Sequence, residues 1–114
     1  MTSIRKNTNI LLKDDVIGER GELGEKLLLG VISNVKECDI VPSNIFLINR
    51  AVFLSTTNEN AIYSLKELHN IGVKIFSCGT CLDFFNLRDK LQVGEVGNAK
   101  DILEALLSQD SITL

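Results

Sequence analysis

Two short apolar runs, Ile10-Leu11-Leu12 behind Asn9 and Ile45-Phe46-Leu47-Ile48 behind Asn44, constrain this chain most, because neither alternates with polar residues. A strand with one wet face alternates, whereas a continuous run suits a strand covered on both faces by helices. Between and after these runs the apolar residues change period. Leu23, Leu27, Leu28, Val31, Ile32 and Val35 recur at helical spacing, as do Ile62, Leu65 and Leu68. Strands alternating with helices predict right-handed crossovers and an α/β three-layer sandwich around a mainly parallel sheet of about five strands.

The remaining elements follow from local signals. Pro42 and Ser43 are expected to break the chain before the second strand. Thr56-Thr57-Asn58-Glu59 has the form of a capping box, with a hydroxyl three residues ahead of Glu59. Gly72 closes that helix, and Val73–Phe76 forms a third strand that runs into Ser77-Cys78-Gly79-Thr80-Cys81. Leu82, Phe85 and Leu91 indicate a short helix or turns, and Gln92–Val96 a fourth strand. Asn98 caps a helix with Ile102, Leu103, Leu106 and Leu107 on its apolar face, and Ser111–Leu114 is a short last strand.

Whole-chain properties then exclude several functions. At 114 residues and 45% hydrophobic content, residues 1–114 make one domain with a real core, its first few residues expected to be disordered. No apolar run is long enough to cross a bilayer, and the N-terminus lacks the pattern of a signal peptide, so a cytoplasmic protein is expected. A net charge of −3, no basic cluster and no Trp argue against a nucleic-acid partner. Three cysteines cannot all pair within one chain, which favours thiol chemistry over a disulfide framework.

Four features bear on chemistry. Gly18, Gly21 and Gly24 stand where phosphate loops often sit. The spacing is not that of a dinucleotide fingerprint, however, the second strand ends in Asn49-Arg50 without an acidic residue, and Glu19 and Glu22 would repel phosphate. A glycine-punctuated loop packed on a helix start is the better reading, and no cofactor is expected. Cys38, His69, Cys78 and Cys81 offer zinc-ligand types but only one compact pair, so no metal is expected either. A thioredoxin couple has the same two-residue spacer as Cys78-Gly79-Thr80-Cys81, yet the single proline, Pro42, precedes the pair and Trp is absent. What remains is a thiol pair at the end of a strand and the start of a helix. There open sheets bind ligands and helix amides favour thiolate, although two small residues filling a tight turn would also fit.

These residues also carry a family resemblance. Ser77-Cys78-Gly79-Thr80-Cys81-Leu82-Asp83-Phe84-Phe85, Leu87–Gly94 and Asn98 resemble the C-terminal domain of YedF-type proteins, sulfurtransferase-like selenium metabolism proteins of the DsrE/DsrF-like superfamily. Gly21–Gly24, Phe46–Asn49 with Ala51–Leu54, and Leu65–Leu68 with Gly72-Val73 extend the similarity from Asn9 to Leu114. The resemblance implies a five-stranded DsrE-like domain, often a homotrimer or larger ring. It implies a sulfur-relay role, with sulfane sulfur or selenium carried on Cys78 as first choice and Cys81 as second. Gly79 and Thr80 would support the site, and Asp83 and Asn49 would stand near it. Two-domain members carry a SirA/TusA-like domain that this sequence lacks, so such a protein from another chain is the expected donor or acceptor. A dithiol redox protein and a non-catalytic oligomeric binding module are the alternatives.

Overall fold

The computed structural model describes residues 3–114. Five strands, β1 (Ser3–Leu12), β2 (Ile40–Leu47), β3 (Lys74–Cys78), β4 (Glu95–Gly97) and β5 (Asp110–Thr113), form one sheet in the order β4-β3-β2-β1-β5. Every neighbouring pair is parallel. The helices are α1 (Glu22–Val35), α2 (Glu59–Asn70), α3 (Gly79–Phe84) and α4 (Ala99–Ser108), and a 3-10 stretch, Asn49–Ser55, follows β2. From β1 to β4 each crossover steps the same way across the sheet, so right-handed connections place α1, α2 and α3 on one face. The last connection returns across the sheet to β5 and puts α4 on the other. The expected three-layer α/β sandwich is therefore present, with an entirely parallel sheet.

Strand alternation divides the side chains accordingly. Ile10, Leu12, Ile45, Leu47 and Ile75 join Leu28, Ile32, Leu65, Leu68 and Leu82 in the main core. Each fully buried leucine there contributes about 2 kcal/mol of transfer free energy. Asn9, Phe46 and Phe76 point to the α4 side, where the Asn9 amide donates to the Ala105 carbonyl at 3.1 Å and the two phenylalanine rings stack at 5.7 Å.

Several local expectations need correction. β1 begins at Ser3, well before Asn9, while residues 1 and 2, and any disorder expected of them, lie outside the described residues. Pro42 does not precede β2 but lies within it, opposite Arg5. The ladder shifts register between Arg5 and Asn9, where Asn7 takes φ +59°, and a residue without an N–H is tolerated at such an irregularity. Ser43 mends it, its hydroxyl donating to the Thr8 carbonyl at 2.8 Å and accepting the Thr8 N–H at 3.1 Å. Thr56 does not cap α2, because its hydroxyl donates back to the Val52 carbonyl, and Asn58 caps the helix by accepting the Ala61 N–H. In α1 only Leu28 and Ile32 of the predicted stripe are fully buried, and Leu23 and Leu27 are exposed. In α4 Ile102 alone is buried, with Leu103 and Leu107 facing outward.

Candidate functional site

Parallel strands gather the loops that follow them at one end of the sheet, and the thiol pair lies there. Cys78 is the last residue of β3 and the N-cap of α3, half-buried, and its side chain makes no capping hydrogen bond. Gly79, buried, opens α3. A Cβ added to it would stand 2.9 Å from Arg88 Nη2 and 3.1 Å from Val96 Cγ1, so glycine is what lets the Arg88 guanidinium approach this backbone. Cys81 falls in the first turn of α3 and packs against the main core. Both cysteines are thiols.

The Cys81 sulfur meets its own amide in α3 and one from outside the helix, that of Asn49, whose backbone N–H donates to Cys81 Sγ at 3.1 Å. Asn49 takes φ +52°, a left-handed conformation that asparagine tolerates better than most residues. Next to it, the Arg50 guanidinium lies 4.8 Å from the Phe53 ring centre and 5.8 Å from that of Phe85, and reaches Asp15 at 3.4 Å. Phe53 and Phe85 themselves meet at 4.9 Å, so this cluster clamps the segment after β2 onto the segment after α3. Burial, reinforced by the neighbouring Cys78 thiol, pushes the Cys81 thiol above its ordinary pKa, against the opposing pull of the Asn49 N–H.

Beside Cys78 opens a polar cavity of about 350 Å³, walled by Cys78, Thr80, Asp83, Arg88, Val96 and Asn98. Arg88 crosses it in a two-pronged ion pair, Nε to Asp83 Oδ1 at 2.7 Å and Nη2 to Oδ2 at 3.0 Å, with Nη2 also 3.4 Å from the Gly79 carbonyl. Hydrogen bonds from Arg88 hold the Asp83 carboxyl below the usual range and raise the guanidinium in return. A larger, mainly apolar groove of about 460 Å³, lined by Ile10, Val31, Val35, Ile40 and Ile112, opens far from this chemistry.

Cys78, Gly79, Thr80, Cys81, Asp83 and Asn49 are thus all brought to one end of the sheet. Cys38 and His69 precede β2 and β3 and stand at the opposite end, so the four residues of zinc-ligand type flagged in the sequence do not converge. Among the described residues no group of three or more His, Cys, Asp or Glu is placed to hold a metal ion. Arg88 and Arg50 were not singled out from the sequence. Arg88 lies five residues after Asp83, a spacing that signals no pairing even within a helix, and Arg50 stands out in the sequence only as the absence of an acidic residue. The loop with Gly18 and Gly21 folds tightly on α1, which contains Gly24: a Cβ on Gly24 would stand 2.4 Å from the Glu19 carbonyl oxygen.

No protein-family model matches the chain, and no curated protein matches it. Among solved structures, the chain is similar to the ychN protein of E. coli, with a TM-score of 0.66 over 100% of both chains at 20% sequence identity. Likeness at that identity shows the fold, and the fold it shows is the DsrE-like α/β fold.

Proposed function

We propose that this domain is a sulfur-relay protein that carries sulfane sulfur as a persulfide on Cys78. The observation that carries the reading is the placement of Cys78 at the C-terminal end of β3, half-buried in the wall of a polar cavity, with a second thiol one helical turn away. The DsrE-like fold and the similarity to YedF-type sequences support it. Cys78 as thiolate attacks the outer sulfur of a donor persulfide, and the donor thiolate leaves. The cavity gives the new perthiolate a polar, partly enclosed setting, and Arg88 keeps the mouth in shape through Asp83 and the Gly79 carbonyl. Selenium in place of sulfur would follow the same displacement.

The donor or acceptor is a SirA/TusA-like carrier protein, and the domain works as a homo-oligomer in the cytoplasm. Exposed apolar side chains, Phe84 next to the site and Leu103 and Leu107 on α4, provide surface for such contacts. No helix among the described residues is long and apolar enough to cross a membrane. Tag-switch labelling specific for persulfides, after treatment with cysteine hydropersulfide, tests the reading. Label on Cys78 is expected, and label that survives unchanged in Cys78→Ser overturns it.

A further inference from the structure

We infer that the thiol pair gives this domain a second activity, the release of sulfide from its own persulfide with Cys81 as the attacking thiol. This inference rests on the proposed carriage of sulfur on Cys78 and goes beyond it, because a relay needs one cysteine and this site holds two.

Three placements carry it. Cys81 follows Cys78 by three residues in the first turn of α3, so the two side chains lie on the same side of the helix start, where no loop closure is needed for them to meet. The Asn49 N–H already donates to Cys81 Sγ at 3.1 Å and favours the charge that sulfur must bear as it attacks. Cys38, the third cysteine, precedes β2 at the opposite end of the sheet and cannot compete within one chain.

The step balances without any external oxidant. Cys81 gives up its proton and attacks Cys78 Sγ, the inner sulfur of the perthiolate. The bond between Cys78 Sγ and the outer sulfur breaks, a Cys78–Cys81 disulfide forms, and hydrosulfide leaves with the proton from Cys81. The outer sulfur leaves with the electron pair of the broken S–S bond and is reduced to sulfide, Cys81 supplies the pair for the new bond and is oxidised, and Cys78 Sγ stays at the disulfide level. A dithiol reductant then returns the disulfide to two thiols. Partial burial of Cys81 makes its deprotonation costly, so the persulfide has a lifetime in which an acceptor can take the sulfur first.

The reduced protein, Cys81→Ser and Cys81→Ala are each charged with cysteine hydropersulfide and desalted. Sulfide is then trapped with monobromobimane while intact mass is followed. The parent chain is expected to evolve sulfide in step with the loss of two hydrogens relative to its reduced form. Both variants are expected to hold the added sulfur at least about tenfold longer. Circular dichroism confirms that the variants are folded, and two substitutions guard against one that is not. Equal lifetimes in the parent and both variants, or sulfide release without an internal disulfide, would overturn the inference while leaving sulfur carriage standing. Failure of every form to gain sulfur on Cys78 would overturn the carrier reading, and this inference with it.

Discussion

The backbone N–H of Asn49 donates to Cys81 Sγ at 3.1 Å and so ties the exit of β2 to the first turn of α3. Two neighbouring strands thereby fix one thiol between them, and the geometry depends on a left-handed residue at position 49, φ +52°. Asn49→Gly is expected to preserve both stability and the slow labelling of Cys81. Asn49→Val, β-branched in that conformation, is expected to cost about 1–2 kcal/mol and to speed Cys81 labelling. Denaturant melts and site-resolved alkylation check both arms, and equal behaviour of the two variants would contradict the role given to this backbone.

The Cys81 thiol is raised above the ordinary cysteine value of 9.0, chiefly by burial. Its alkylation rate in native protein should therefore still be climbing with pH where a free cysteine has reached its plateau. The sign for stability follows. The native state holds this proton more tightly than the unfolded chain, so the contribution is fully present below the unfolded pKa and is lost as pH rises through the native one. Site-resolved iodoacetamide kinetics in a Cys38→Ser background measure the midpoint, and a midpoint at or below that of free cysteine would contradict the assigned burial.

Gly24 and Gly30 both lie in α1 but meet different surroundings. A Cβ on Gly24 would run into backbone, 2.4 Å from the Glu19 carbonyl and 3.0 Å from that of Ile17, whereas one on Gly30 meets nothing within 4 Å. Gly24→Ala should destabilise by about 2 kcal/mol or more, since backbone cannot swing aside. Gly30→Ala should stabilise by about 0.5–1 kcal/mol through helix propensity. Urea unfolding of the two variants beside the parent chain reads the difference, and a matching sign would refute the packing described for the loop before α1.

Much of this architecture was legible because burial on both faces writes itself as continuous apolar runs. Ile45, Phe46 and Leu47 announced a central strand, and Asn98 announced the start of α4. The first half of β1 was invisible: Ser3–Asn7 is exposed and polar apart from Ile4, and it is held by pairing with β2, which no local pattern encodes. Pro42 misled for the same reason, since only the register shift opposite it makes a proline acceptable inside the strand. The apolar stripes of α1 and α4 were read too wide. Periodicity marks which residues share a face, not how much of that face a neighbour covers, and Leu107 remains 85% exposed. At the site, the CGTC spacing singled out the thiols. The Asn49 amide is a tertiary contact, visible only once β2 and β3 lay side by side, and the Arg88 clamp is a local one made by the irregular turn after α3, which no periodicity encodes.

Intact-mass spectrometry with peptide mapping of the fully reduced protein, after incubation with a sulfane-sulfur donor, addresses the central claim most directly. Cys81→Ser should gain the mass of one sulfur atom, mapped to Cys78, and Cys78→Ser should gain none there. A chain that takes up no sulfur, or takes it up equally without Cys78, would contradict the account.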